Sequence, residues 1–332
     1  KKTILMGSHL DTVPEGGLYD GALGFSMGVN CLKGLLDQNI KFNYNIEVIG
    51  FNAEEGGAMG GTFGSRAMMG LIPVEKLSLE DLKSVKLTKK DILDAYVDNK
   101  KYLCYIEPHI EQGNLLHNKQ IPIGIVSGIV GISRFILEVN GEANHSGTTI
   151  MTHRDDALYK MSKVITYIHE YAKAQTNRLV ATVGEISISP GSVNVIPGYC
   201  KCILEVRHME TTSIDDFVEN IKHYVNVNYK IDLKVQKYVE KKSTKCDKKL
   251  MDLLEHICIK ENIKYEIMPS GAGHDANAIG HKIPASMIFL PSIDGISHNK
   301  LEKTDEKDIL LGDKLLINLI KEINNGGYKN EY

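Results

Sequence analysis

No stretch of about 18 consecutive apolar residues occurs anywhere in this chain of 332 residues, so it offers no membrane-spanning helix, and no signal peptide is visible. No block of lysine and arginine interleaves with aromatics, and the formal net charge is −3 with an isoelectric point near 6.5. Nucleic acid is therefore not an expected partner. The six cysteines, Cys31, Cys104, Cys200, Cys202, Cys246 and Cys258, lack the spacing of a zinc ribbon. Cys200 and Cys202 share one face of a strand and read as core thiols. This usage points to a reducing, cytoplasmic compartment. An initiating methionine is missing too: Lys1, Lys2 and Thr3 open directly on a strand, and a segment upstream is expected.

What is present is ordinary globular material, 42% apolar and 24% charged, in a length comfortable for two domains. TILMG (3–7) reads as a buried strand, residues 22–36 as a helix, and NIEVIGF (45–51) as a second strand. This alternation favours an α/β sheet with parallel strands. A polar stretch over 76–100, with short surface helices, separates these from CYIEPHIEQG (104–113). The middle of the chain has another rhythm. A strand in 133–147 is followed by a helical stripe over 155–174, the strands LVATVGEISIS and YCKCILEVRH, and a helix expected to open with a capping box at Ser213 and Asp216. The order β-α-β-β-α(-β) is that of a small ferredoxin-like unit. The charged run VEKKSTKCDKK reads as a return linker, after which the αβ rhythm resumes. The expected domains are residues 1–125 with 238–332, and an inserted unit over 126–237, with hinges near 118–130 and 234–242.

Five candidate metal ligands sit at strand ends or in the loops that follow: His9, Asp20, Glu55, His109 and His298. Open α/β folds place their sites at the carboxyl ends of sheet strands. Asp11, two residues beyond His9, shares its face in an extended strand and could hold the His9 ring. Glu54 and Glu55 point to opposite sides of an extended chain, so one can ligate while the other is free to act on water. Each residue also has a bland interpretation. A loop histidine is ordinarily solvated, an aspartate in a Gly-rich turn is ordinarily a turn residue, and paired glutamates before glycine are often surface. Their common position after apolar strands favours a site. His117, His153, His169, His223, His256 and His281 lack that context.

Seven motifs occur in order: GSHLDTVPEGGLYDGALG, AEEGGAMGGTFGSRAMMG, IEPHIEQG, GEANHSGTTIM, SPGSVNVIPG, SGAGHDA and PSIDGISHNK. Together they resemble the amidase/hydantoinase/carbamoylase branch of the M20 dinuclear metallohydrolases, a branch of N-carbamoyl-L-amino-acid hydrolases, allantoate amidohydrolases and β-ureidopropionases. The resemblance runs from the first residues to about residue 305. Members carry a helical segment and a first strand ahead of this region.

The resemblance implies an aminopeptidase-like α/β/α catalytic domain holding two divalent cations, with an inserted ferredoxin-like lid and dimerisation domain. Asp20 would bridge the two ions, His9 and His109 completing one site and Glu55 and His298 the other. Glu54 would be the general base. His109 stands where peptidase-like members usually have a carboxylate, which points to the ureido-hydrolysing branch. His145 would stabilise the oxyanion, commonly in the partner subunit of a homodimer. Asn194 and Arg207 would hold the substrate carboxylate, with Gln112, His274 and the backbone of Gly273 lining the cavity. Zinc or manganese is expected, with cobalt or nickel compatible. The alternatives are an M20 aminoacylase or dipeptidase and, in another class, a non-catalytic dimeric scaffold.

Overall fold

All seven residues of β1, Thr3–His9, are buried. A strand covered on both faces reads as a continuous apolar run, as TILM does here. The computed structural model describes residues 1–329. After β1 come α1 (Ala22–Asp37), β2 (Asn45–Phe51), the short helices α2 (Phe63–Met68), α3 (Leu79–Ser84) and α4 (Lys89–Asp94), then β3 (Tyr102–Ile110), α5 (Leu115–Lys119) and β4 (Ile123–Ile129). A second group follows: β5 (Gly131–Asn140), α6 (Ala157–Lys173), β6 (Val180–Ser189), β7 (Tyr199–His208), α7 (Thr211–Tyr229) and β8 (Lys234–Lys241). The chain ends with β9 (Thr244–Lys245), α8 (Lys248–Lys260), β10 (Tyr265–Ser270), α9 (Asp275–Ile279), β11 (Ala285–Leu290) and α10 (Glu306–Glu322).

The chain divides into two units, residues 1–129 with 244–332 and residues 130–243. The divide falls at 129/130 and 243/244, against 125/126 and 237/238 in the sequence reading. Hydrogen-bonded pairing explains the shift: β4 pairs with β10 and β11, whereas the whole of β8 pairs with β5. The two stretches expected to hinge are thus largely strand, and VEKKSTKCDKK begins inside β8 rather than as a linker. The capping box at Ser213 is also not found. α7 starts at Thr211, and the His208 ring, which accepts the Glu210 N–H, organises its entry.

In the first unit the sheet order is β10-β4-β11-β3-β1-β2, with β9 on β4. The strands β11, β3, β1 and β2 are mutually parallel, so their carboxyl ends share one edge. One face packs against α1, α8 and α10 through residues such as Met27, Leu254 and Leu319; the other packs against Met68, Ala276 and Ile279. Gly24 lets α1 lie this close. A Cβ there would sit 1.9 Å from the Pro108 carbonyl oxygen, which is main chain and cannot yield. Gly24→Ala is expected to cost about 1–3 kcal/mol by overpacking, read as a lowered thermal midpoint. An unchanged midpoint would mean that α1 can move off β3 freely.

In the second unit the order is β6-β7-β5-β8, every neighbouring pair antiparallel. With α6 and α7 this is the βαββαβ arrangement of a ferredoxin-like unit. Its core includes Phe135, Leu204, Phe217 and Ile221, with Cys200 and Cys202 fully buried among them.

Candidate metal centre

The end of β1 places His9, and the end of β3 places His109 beside it; both rings are buried. Asp20 reaches them from the turn ahead of α1. Gly21 makes that approach possible: its φ is +65°, and a Cβ there would lie 2.3 Å from His9 Nδ1. His9 Nδ1–H donates to the Asp11 main-chain carbonyl at 2.8 Å and His109 Nδ1–H to that of Ile110 at 2.9 Å. Each histidine therefore turns its Nε2 to the centre. Asp20 Oδ1 lies 3.4 Å from His9 Nε2 and 3.2 Å from His109 Nε2, and the two nitrogens are 3.4 Å apart.

These edges suit a cation. Donor atoms about 2.0–2.1 Å from a tetrahedral ion lie roughly 3.3–3.4 Å from one another. Asp20 Oδ1 is buried and accepts no hydrogen bond, so two ring nitrogens and a carboxylate oxygen converge on a point that positive charge relieves. The protonation behaviour says the same. Burial opposes a charge on His9, yet the Asp20 carboxylate and the nearby Glu54 raise its pKa to about 10. Burial likewise opposes ionisation of Asp20, but His109 and His9 hold its carboxyl far below the usual range.

The other Asp20 oxygen belongs to a second group. Oδ2 lies 3.2 Å from His298 Nε2, which is 3.3 Å from Glu55 Oε2. Gln112 Nε2 also donates to Oδ2, at 2.8 Å. Glu55 Oε1 and Gln112 Oε1 are buried without a hydrogen-bond partner. Burial, followed by the charge of Asp20, pushes the Glu55 carboxyl up. Ala53, Gln112 and His298 all have positive φ without being glycine, a concentration of backbone strain characteristic of functional sites.

Glu54 lies outside both donor groups. Burial, then the negative charge of Asp275, push its carboxyl up to about 9; cations on the two groups would oppose that rise. Asp11 acts differently from the sequence expectation. Its carboxylate is 3.9 Å from the His9 ring, which Asp11 holds through its main chain. The carboxylate instead accepts the N–H groups of Glu54 and Glu55, each at 3.2 Å, and so fixes the loop after β2.

A model of the peptidase family M20/M25/M40 matches residues 5–322. The chain belongs to this M20 family. It is 32% identical to the allantoate amidohydrolase of Escherichia coli over 97% of its own length and 82% of that protein. It is equally similar, over the same shares, to the N-carbamoyl-L-amino-acid amidohydrolase of a Pseudomonas species. Among solved structures, a hydantoinase/carbamoylase family amidase from Burkholderia ambifaria matches with a TM-score of 0.86 and 26% identity, covering 99% of this chain and 82% of that one.

In this M20 chain His274 follows β10, its Nε2 2.8 Å from the Ser270 hydroxyl and its ring 4.4 Å from that of His109. Burial drives its pKa well down. Gly273 precedes it in an open turn where a Cβ would meet nothing. In the second unit, His145 and Asn194 share one corner: His145 bridges to Val195, and the Ser146 N–H donates to the Asn194 carbonyl at 3.0 Å. Arg207 is not with them. It lies near the far end of β7, bound to Glu205 at 2.7 Å, about 26 Å of strand from the Tyr199 end that adjoins the corner.

Sequence reasoning missed Glu302. Its Oε1 accepts the N–H groups of Tyr19 and Asp20, each at 3.0 Å, and its Oε2 accepts the Ser297 hydroxyl at 2.8 Å. One buried carboxylate thus joins the Asp20 turn to the residue before His298. Glu302→Ala is expected to weaken binding of zinc about 10–100-fold, measured by calorimetric titration; unchanged affinity would leave Glu302 a packing residue only. No local pattern announces Glu302, because its partners lie 282 or more residues away or in a loop of irregular shape.

Proposed function

We propose that this chain is a metal-dependent amidohydrolase that cleaves a linear C–N bond of a ureido or carbamoyl acid, releasing ammonia and carbon dioxide. The carrying observation is the pair of donor groups joined through the two oxygens of Asp20, with Glu54 beside them and outside both. Relatives named for allantoate and for N-carbamoyl-L-amino acids support these two substrate classes. His9, Asp20 and His109 would hold one divalent cation and Asp20, Glu55 and His298 a second, with zinc or manganese the expected metals and cobalt or nickel compatible with the donors. When bound, the cations supply Lewis-acid polarisation and raise the acidity of water at neutral pH.

The chain's own groups do the rest. Glu54 takes the proton of the attacking water and delivers it to the leaving nitrogen. The His145 ring donates to the developing oxyanion. Arg207 and Asn194 hold the substrate carboxylate, Arg207 through a guanidinium that can grip it bidentately. Gln112, His274 and the Gly273 backbone line the cavity. One water balances the reaction: an N-carbamoyl amino acid gives the amino acid, ammonia and carbon dioxide, and allantoate gives ureidoglycine with the same two products.

The length of β7 supports a homodimer through the second unit. His145 with Asn194, and Arg207, lie too far apart on one unit to grip one small substrate together. Two copies resolve this, each centre taking His145 and Asn194 from one and Arg207 from the other. Mixing inactive His145→Ala and Arg207→Ala chains is then expected to restore about a quarter of full activity, through the one intact centre of each mixed dimer. No restoration would mean that one copy supplies both.

The direct test is ammonia release by chain loaded with manganese or zinc, from allantoate and from a panel of N-carbamoyl-L-amino acids. Turnover of one class is expected. Silence on both, with release of product from acyl or dipeptide substrates, would shift the function to an aminoacylase or dipeptidase.

A further inference from the structure

A third set of potential donors, Glu107, His109 and His274, also lies close together and fully inside. It is not a further cation site. His109 Nδ1–H is committed to Ile110, its Nε2 faces Asp20, and both Glu107 oxygens already accept hydrogen bonds. Those bonds give Glu107 another purpose. On β3, Tyr105, Glu107 and His109 alternate onto one face. The Tyr105 hydroxyl donates to the Gly7 carbonyl at 2.9 Å. Glu107 Oε1 accepts the Ser8 hydroxyl at 2.8 Å, immediately before His9. Glu107 Oε2 accepts the Ala276 N–H at 2.6 Å, in the first turn of α9, whose preceding residue is His274. Asp275 ties the same turn to α2 by accepting the Ser65 hydroxyl at 2.5 Å.

We propose that Glu107 is a positioning residue: a single buried carboxylate that locks the His9 end of β1 and the His274 turn to the His109 end of β3. The proposal rests on the cation site described above. Glu107 touches neither cation nor substrate and acts only through the histidines it fixes. Charge on Glu107 is not what the lock needs. A glutamine at 107 can accept from Ala276 through its carbonyl oxygen and donate to Ser8 through its amide, since a hydroxyl accepts as readily as it donates. Alanine can do neither.

The test is zinc titration by calorimetry of the full chain and its Glu107→Ala and Glu107→Gln variants, with thermal unfolding of each in the metal-free state. Glu107→Ala is expected to bind zinc about 10–100-fold more weakly, and Glu107→Gln to recover to within a few-fold of the unaltered chain. Where Glu107→Ala does not fold, Ser8→Ala takes its place; it cuts only the tie to β1 and is expected to weaken zinc in the same direction, by less. A lowered midpoint with unchanged zinc affinity would overturn the proposal by making Glu107 a stability residue alone. Equal loss in the alanine and glutamine variants would overturn it by showing that the charge matters. Failure of the unaltered chain to bind zinc would instead remove the cation site itself, and the proposal with it.

Discussion

Asp20→Ala is expected to abolish binding of both cations at once. Asp20 is the one donor that the two groups share, through Oδ1 to His9 and His109 and through Oδ2 to His298. Without it, two histidines remain on one side and a glutamate with a histidine on the other, fewer than the three protein ligands typical of a catalytic zinc. The variant should leave gel filtration with no stoichiometric metal by plasma emission analysis, and turnover should fall by roughly 10³-fold or more, the worth of several kcal/mol of charge stabilisation. His298→Ala makes the comparison sharp, because it removes a donor from one group only and should cost one ion. Retention of both ions by Asp20→Ala would mean that the groups are independent.

Glu54→Gln should show the opposite pattern, full metal content with little turnover. Glu54 belongs to neither donor group, and its main-chain N–H keeps its bond to Asp11 whatever the side chain. Glutamine preserves shape but cannot take a proton from water. A loss of about 10²–10⁴ in kcat is expected, with KM changed little. Activity above a tenth of normal would place the base elsewhere.

Much of the site was legible because its donors follow strands that announce themselves. ILM and YLCYI are apolar runs that open buried strands, and the parallel pairing of those strands brings His9 and His109 to one edge. Asp11 was legible only in part. Its proximity to His9 could be read from a spacing of two, but the sequence does not say whether ring or loop takes the carboxylate. Glu107 carried a signal that went unused: a charged residue inside an otherwise apolar strand demands partners. Glu302 carried none. In the fold, β4 was obscured by the glycines of IGIVSGI, which weaken the strand pattern, and β8 by its lysines. The β8 lysines are tolerated because β8 is an edge strand with one neighbour, β5. Spacing within one strand also could not reveal that Arg207 is remote from Asn194, since that depends on where the turn before β7 folds back.

The central claim is that Asp20 joins two cation positions into one centre. Anomalous scattering from crystals soaked in zinc tests it most directly. Two peaks are expected, one among His9, Asp20 and His109 and one among Asp20, Glu55 and His298, about 3.5–4 Å apart as in two-metal hydrolases. A single peak at saturating zinc, or peaks away from Asp20, would contradict it.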